Sequence, residues 1–361
     1  MIISHRPRSA RPVRRLLTTA VPGGAALLAC GLLAGCSSGG SAGPGTSSAA
    51  SGSSPAASRG TPATSGAPPA SGASASPAPT GSAAQPAGGP FSRPLDIRNP
   101  LFPLAVGTQF TYEGKIVDSD GSHEHSVIFT VTDLVKHVDG TETVVALDQD
   151  YLEGTLQEQE LAFFAQDDAG NVWNFGEYPE EYDNGKLTGA PSTWIRGTDG
   201  AYGGIHVLGQ PRIGLRYREG LVPAIQFDDV SRVTSLTQHT CVPSGCYGSV
   251  VMVDETSPND PASGHQIKYY APGTGLVRVG ANGGDAQEFL GLATVRHLSP
   301  SGLARMRAVA LAMDHRAYQV TKVYRVTPPA RQAAQLCQTA SALGLSSQRS
   351  RRQRTIPWRN A

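Results

Sequence analysis

The 361-residue chain has no apolar run long enough to cross a membrane as a helix. The best candidate, residues 16–35, is interrupted by Pro-Gly-Gly at 22–24, which leaves only residues 25–35 without a break. A spanning helix needs about 20 apolar residues. Five arginines and no acidic residue lie in residues 1–35. A basic start followed by a short apolar core predicts a secretory signal peptide over residues 1–35 and not a transmembrane helix.

Residues 37–90 lack nearly every side chain that can build a core. Only Arg59 and Gln85 fall outside Ala, Gly, Pro, Ser and Thr. This composition cannot bury enough apolar surface to offset the entropy of ordering the chain, so we predict a disordered linker. A flexible chain of these 54 residues has an r.m.s. reach of roughly 40 Å.

The sequence also lacks the short motifs of common enzyme classes. Outside residues 37–90 it contains no Gly-x-Ser-x-Gly nucleophile elbow, no phosphate-binding P-loop and no Cys-x-x-Cys pair. We therefore assign no catalytic residue, no metal site and no cofactor. An enzyme whose site is scattered along the chain stays an alternative.

Leu33-Ala34-Gly35-Cys36 stands between the apolar run and the linker. This tetrapeptide resembles the bacterial lipobox, in which the chain is cut before the cysteine and the thiol takes a diacylglycerol. The resemblance implies that Cys36 carries the lipid and becomes the mature N-terminus. The expected location is the extracytoplasmic face of the cell membrane, and the membrane is the expected partner through the lipid anchor at Cys36.

The formal net charge of +1 hides two regions of opposite sign. Residues 91–297 hold 28 Asp and Glu against 13 Lys and Arg, a net charge of −15. Residues 298–361 hold 11 Lys and Arg against Asp314 alone, a net charge of +10. The acidic body argues against a nucleic-acid partner, because binding nucleic acid requires neutralisation of its phosphates.

The chain has only five cysteines. Cys30 belongs to the predicted signal peptide, Cys36 is the expected lipidation site, and Cys337 is left over. Cys241 and Cys246 lie five positions apart across a Val-Pro-Ser-Gly turn. Outside the cytoplasm this spacing predicts a disulfide, and the alternative is two reduced thiols in a loop.

From Phe91 onward, short runs alternate apolar and polar residues between turn residues, which include Asp139-Gly140 and Asp167-Asp168-Ala169-Gly170. This pattern predicts a mainly β extracytoplasmic domain over residues 91–328, built as an antiparallel sandwich or open barrel. The predicted strands are 109–117, 126–135, 143–152, 156–166, 171–175, 213–218, 231–239, 247–254, 266–270, 276–279 and 286–298, with a further candidate at 318–326.

Ser299-Pro300 is a helix start signal, with Ser as the N-cap and Pro in the first turn. Apolar residues then recur at helical spacing and predict one C-terminal amphipathic helix over about 300–317, packed on the sheet. The apolar stripe consists of Leu303, Met306, Val309, Ala310 and Met313. Residues 329–361 are expected to form a basic, disordered tail.

Aromatic, Gly and Pro residues recur in one order between residues 99 and 298. They are Asn99-Pro100-Leu101-Phe102-Pro103-Leu104, Gly107, Phe110, Tyr112-Glu113-Gly114, Asn171-Val172-Trp173, Phe175-Gly176-Glu177, Tyr269-Tyr270-Ala271-Pro272-Gly273 and Gly275-Leu276. Together they resemble a family of uncharacterised bacterial secreted proteins and lipoproteins. The resemblance implies a β-rich extracytoplasmic domain, and it transfers no catalytic residue.

His123-Glu124-His125 follows Asp118 and Asp120 closely. On a strand the two histidines point the same way, which suits ligation of zinc or copper. The favoured interpretation is a polar hairpin loop, because no third ligand is identifiable and the spacing differs from that of zinc proteases.

Glu113 and Glu177 each follow an aromatic strand and are candidates for a general acid/base pair. The alternative is a chance occurrence in an acidic domain, and we favour it. Trp173 and Phe175 share one face of a predicted strand, and Tyr112 is a candidate to join them. Such aromatic residues more often build a core than a ligand platform.

These observations favour a membrane-anchored, non-enzymatic lipoprotein that presents a β-rich domain in the cell envelope. Its expected partner is a wall polymer, a small ligand or another envelope protein. The alternatives are an extracytoplasmic enzyme that uses Glu113, Glu177 or the two histidines, and a carrier with an apolar cavity for a lipid.

Overall fold

The computed structural model describes residues 88–333. Within this range there are fifteen strands and one α-helix. The strands are β1 (Thr108–Asp118), β2 (Gly121–Val138), β3 (Thr141–Leu152), β4 (Thr155–Gln166), β5 (Val172–Asp183), β6 (Lys186–Gly189), β7 (Trp194–Ile195), β8 (Tyr202–Val207), β9 (Arg216–Val222), β10 (Phe227–Val242), β11 (Gly245–Thr256), β12 (His265–Ala271), β13 (Gly275–Asn282), β14 (Gln287–His297) and β15 (Arg331–Gln332). The helix, α1, spans Pro300–Val320, and short 3-10 turns occur at Pro223–Ile225, Pro261–Ser263 and Val323–Val326.

Twelve of these strands pair edge to edge into a closed antiparallel barrel. Their order is β1-β14-β13-β12-β11-β10-β9-β8-β5-β4-β3-β2. The ring closes because β2 also pairs with β1, with Tyr112 opposite Val127. Closure gives each of the twelve strands a partner on both sides, so the ring has no free edge. The predicted mainly β, antiparallel domain with one C-terminal helix is confirmed.

Glycine at turn positions explains several of the hairpins. Asp139 (φ 45°) and Gly140 (φ 76°) join β2 to β3 in a two-residue turn, a geometry that asks for positive φ at both positions. Gly170 (φ 83°) is the one positive-φ residue in the longer loop between β4 and β5. The sequence signals for both turns were read correctly.

The strand prediction was wrong or incomplete in one region. β6, β7 and β8 were missed, because they are short or contain a Gly-Gly pair that weakens the strand signal. β5 continues to Asp183, eight residues beyond its predicted end at residue 175. The predicted strand 213–218 is wrong in its first half, since Gly214 adopts φ 83° and β9 begins only at Arg216.

α1 begins as its sequence indicated. The Ser299 side chain accepts a hydrogen bond from the Gly302 amide, and Pro300 lies in the first turn. The predicted stripe faces the barrel, with Ala310 and Met313 fully buried. Among residues 88–333, no helix is long and apolar enough to cross a membrane.

The segment after the helix departs from expectation. The predicted strand 318–326 is wrong, because its first residues belong to α1 and Val323–Val326 forms a 3-10 turn. The described residues also include a short strand past residue 329, where the tail was expected to begin. Arg331 pairs with Val135 of β2 in β15.

One end of the barrel is closed by the segment 99–104, and we call it the plugged end. Phe102 reaches into the interior, with its ring centroid 5.3 Å from that of Phe164 and 4.6 Å from that of His206. The Pro100 carbonyl accepts a hydrogen bond from the Gly273 amide at 2.7 Å, which ties the segment to the β12–β13 turn. The space left around Phe102 is about 10 Å³, roughly what one water needs.

Candidate functional site

The hairpin of β10 and β11 crosses over the outer surface of the barrel. Register shifts interrupt its ladder over residues 233–240, and bulges of this kind bend a hairpin. The tip is fixed to β14, because the Ser244 amide donates to the Leu292 carbonyl at 2.9 Å. A Cβ on Gly291 would lie 3.1 Å from Pro243 Cδ, so the glycine permits this close approach.

A groove of about 390 Å³ lies between this hairpin and the barrel wall. Its volume is within the range of ordinary ligand sites, roughly 300–1,000 Å³. Val242 and Pro243 line it from the hairpin, and Phe289 lines it from β14. The groove therefore has apolar surface on two sides.

The charged side chains of the groove come from β1 and β13. Glu113 and Lys115 are exposed on β1, and Arg278 is exposed on β13. The Arg278 guanidinium lies 5.2 Å from the Tyr269 ring centroid and donates to Thr240 Oγ1 at 3.4 Å. Within residues 88–333, none of these three charged groups forms an ion pair. The groove thus presents two cations and one carboxylate beside apolar surface.

Cys241 and Cys246 lie opposite each other at the base of the hairpin turn. Their Cα atoms are 4.0 Å apart and their sulfur atoms are 2.03 Å apart. Cys241 also lines the groove. A covalent bond between them in the purified protein stays a prediction until its free thiols are counted.

A second polar cluster lies inside the barrel. Lys268 Nζ on β12 donates to Glu255 Oε2 at 2.5 Å and to Glu219 Oε2 at 3.3 Å. His206 Nδ1 lies 3.5 Å from the same Glu219 oxygen. Asp229 lies nearby and accepts a hydrogen bond from Ser257. The side chains of Lys268, Glu219, Glu255 and His206 are each 7% exposed or less.

Burial and mutual charge set the protonation of this cluster. Burial lowers the pKa of Lys268, but the carboxylates of Glu219 and Glu255 outweigh this and raise it above its usual value. Burial, then the Lys268 charge, holds the pKa of His206 well below its usual value. Burial, then the Glu255 charge, raises the pKa of Asp229 well above its usual range. Burial therefore favours the neutral forms of His206 and Asp229, whereas the adjacent carboxylates favour the charged form of Lys268.

Sequence reasoning missed both the groove and this cluster. The groove depends on a hairpin that folds over distant strands, which no local pattern encodes. The cluster left a signal at two positions, because Glu219 alternates with Tyr217 on β9 and Glu255 alternates with Val251 and Val253 on β11. Lys268 left none, because it shares its buried face with Gln266 and Tyr270.

The histidine pair does not lie in a hairpin loop, as the favoured interpretation held. Both residues belong to β2, which begins at Gly121. His123 Nε2 lies 3.4 Å from Asp118, whereas His125 is fully buried with Nε2 2.9 Å from Asp150 and Nδ1 3.2 Å from Glu288. Each ring therefore has its own carboxylates. In the described part of the chain, no group of three or more His, Cys, Asp or Glu is arranged to hold a metal ion.

Glu113 and Glu177 are not brought together. Glu113 is exposed on β1, and Glu177 is buried on β5, with β2, β3 and β4 between them in the ring. Asn174 Nδ2 and Trp194 Nε1 donate to the Glu177 carboxylate at 2.7 and 3.0 Å. The two carboxylates therefore do not form an acid/base pair.

The aromatic candidates are core residues. Trp173 and Phe175 are 1% and 0% exposed, and Phe91 packs edge-on against both rings. Tyr112 is also buried but lies on β1, where its hydroxyl donates to the Leu276 carbonyl at 2.9 Å.

Cys36, the predicted signal peptide, nearly all of the predicted linker, Cys337 and residues 334–361 lie outside the described residues.

No family model and no curated protein matches the sequence. Two solved structures resemble the chain. One is a protein described as exported, with a YmcC-like fold, from Bacteroides fragilis, and the other is described as a lipoprotein from Parabacteroides distasonis. Each is 14% identical to this chain and is matched over 98% of its own length and 54% of this chain. The TM-scores are 0.30 and 0.27, and similarity at this level assigns no function.

Proposed function

We propose that this protein is a cell-envelope lipoprotein, anchored through Cys36, whose barrel binds a ligand in the groove beneath the β10–β11 hairpin. The ligand carries an anionic group, a phosphate or a carboxylate, next to an apolar or sugar face. The groove of about 390 Å³ with its charged side chains is the observation that carries this proposal.

The charge of the groove selects the ligand class. Lys115 and Arg278 supply two cations against the single carboxylate of Glu113, within a body whose residues 91–297 carry a net charge of −15. On a surface that is acidic overall, an anionic ligand group binds only where cationic side chains lie close together. Arg278 is also pre-positioned, because its guanidinium lies against Tyr269 and reaches Thr240.

The envelope location rests on the sequence. Leu33-Ala34-Gly35-Cys36 follows a basic, apolar leader and precedes the predicted linker. Cys241 and Cys246 lie opposite each other in the β10–β11 hairpin, which fits a compartment in which disulfides persist. Wall polymers rich in phosphate or carboxylate lie within reach of a domain tethered there.

Titration calorimetry with three polymers tests the groove. The probes are polyglycerol phosphate, polygalacturonate and neutral dextran, each at fixed ionic strength. We expect one of the two polyanions to bind and dextran not to bind, and the responding polymer distinguishes phosphate from carboxylate. The double variant Lys115→Gln/Arg278→Gln should weaken binding at least tenfold, because charge-assisted hydrogen bonds contribute about 1.5–3 kcal/mol each.

Two further variants sharpen the test. Glu113→Gln removes the opposing charge and should strengthen binding of the polyanion. Lys186→Gln, an exposed change on β6 outside the groove, is the matched control and should leave it unchanged. Equal weakening by the control and by the groove variant would overturn the proposal, as would binding of neither polyanion.

A further inference from the structure

The loop between β8 and β9 exposes apolar side chains that folding does not require. Ile213 is 68% exposed and Leu215 is 40% exposed, the former being the most exposed large apolar side chain of the described residues. Arg212 and Arg216 flank them, and all residues from 212 to 216 are exposed. Residues 208–216 contain no acidic residue, and within residues 88–333 neither arginine forms an ion pair.

The loop backbone is nonetheless held firmly. The Gly214 amide donates to the Val233 carbonyl at 2.8 Å, and the Val233 amide donates to the Leu215 carbonyl at 3.0 Å. The Leu215 amide closes a turn onto the Arg212 carbonyl at 3.0 Å. The side chains of Ile213 and Leu215 are therefore presented outward by an ordered turn.

The loop lies at the end of the barrel where the described chain begins. The Pro90 carbonyl accepts a hydrogen bond from the Asp168 amide at 2.9 Å, in the β4–β5 turn. Asn171 at the end of that turn accepts a hydrogen bond from the Gly209 amide at 2.9 Å, at the base of the β8–β9 loop. The β4–β5 turn thus contacts both Pro90, where the predicted linker ends, and the base of the β8–β9 loop. The linker attachment and the loop therefore both lie at the plugged end.

We infer that the β8–β9 loop is a membrane-contact element that inserts Ile213 and Leu215 into the interface of an anionic bilayer. The inference rests on the proposed anchor, since a flexible tether of residues 37–90 places the domain at an r.m.s. distance of roughly 40 Å from the lipid anchor. Apolar side chains flanked by arginine suit this surface, because they enter the headgroup region while the cations contact anionic headgroups. The contact orients the barrel with its plugged end towards the membrane.

Vesicle flotation of purified protein carrying Cys36→Ser tests the loop without any attached lipid. The probes are vesicles of phosphatidylglycerol with phosphatidylcholine, and vesicles of phosphatidylcholine alone. Ile213→Ser/Leu215→Ser should lower partitioning onto the anionic vesicles about tenfold, since each side chain loses part of its apolar burial. Val326→Ser, at a residue 61% exposed in the 3-10 turn after α1, is the matched control and should change it less than twofold.

A second pair of variants separates the charge contribution. Arg212→Gln/Arg216→Gln should lower partitioning roughly fivefold per arginine at low salt and reduce its salt dependence, whereas exposed Arg305→Gln should not. Unchanged partitioning in both loop variants would overturn the inference. A change in self-association without a change in vesicle binding would also overturn the inference, because the loop would then be a contact between copies of the chain. If Cys36 carries no lipid, the proposed anchor is wrong. The vesicle result still stands in that case, because it is measured on protein carrying Cys36→Ser.

Discussion

Removal of the Asp314 carboxylate should destabilise the domain strongly, because a buried lysine depends on it. Asp314 is 3% exposed on the inner face of α1. It accepts hydrogen bonds from Lys136 Nζ and the Tyr324 hydroxyl, both at 2.6 Å, and from the Ala330 amide at 3.1 Å. Lys136 itself is fully buried on β2. Asp314→Ala therefore leaves an uncompensated charge between the helix and the barrel.

The magnitude follows from what the variant leaves behind. Breaking a buried ion pair by removing one partner costs about 3–5 kcal/mol. We expect the free energy of unfolding to fall by about 4 kcal/mol. Replacement of both partners, Lys136→Met/Asp314→Leu, should recover most of that loss. An apolar pair of similar volume fills the site and leaves no buried charge from either partner.

Urea unfolding followed by the fluorescence of the tryptophans measures these differences, because Trp173 and Trp194 are both buried in the folded domain. Asp285→Ala removes an exposed carboxylate from the β13–β14 loop and serves as control, with an expected change within about 0.5 kcal/mol. A loss of less than 1 kcal/mol in Asp314→Ala would refute the reasoning. A double variant no more stable than Asp314→Ala would refute it as well.

Three further predictions concern pH, the cysteines and the basic tail. Burial lowers the pKa of Lys136 from 10.5 to about 8. Between these pH values the unfolded chain binds a proton that the folded chain has released, so the free energy of unfolding should rise from pH 8 towards pH 10 by up to about 1.4 kcal/mol per pH unit. Lys136→Met should abolish this rise, and exposed Lys186→Met should keep it. Thiol counting on unfolded, unreduced protein should find Cys241 and Cys246 unreactive, because a disulfide joins them. This disulfide closes a short loop and should stabilise the fold by roughly 2–3 kcal/mol. Two reactive thiols at these positions would mean that there is no bond. Deletion of residues 334–361 should leave the melting temperature nearly unchanged and weaken salt-sensitive binding to anionic vesicles; a large drop in melting temperature would make the tail structural.

Local chemistry made much of the fold predictable. The Asp139-Gly140 turn and Ser299-Pro300 carry their structural meaning in adjacent residues, so both were read from the sequence. Local alternation failed at Ile213 and Leu215, whose spacing imitates a strand although Gly214 turns the backbone out of it. The same strand-like spacing conceals the exposed loop that presents these two side chains outward.

Long-range contacts set the features that could not be predicted. The pairing of Tyr112 on β1 with Leu292 on β14, and the approach of Pro243 to Gly291 that forms the groove, join segments that are far apart in the sequence and share no local pattern. The charge count likewise gave no sign that Asp314, the one acidic residue after residue 297, is buried against Lys136.

Mass spectrometry of the N-terminal peptide from membrane-extracted protein tests the central claim most directly. The account predicts a peptide that begins at Cys36 and carries the mass of a diacylglycerol together with any further acyl chain, because two or more chains hold a protein firmly at a membrane. In Cys36→Ser this peptide should disappear, and the protein should be released or remain as an unprocessed precursor. A peptide that begins upstream of residue 36, or an unmodified Cys36 in protein that still fractionates with the membrane, would contradict the account.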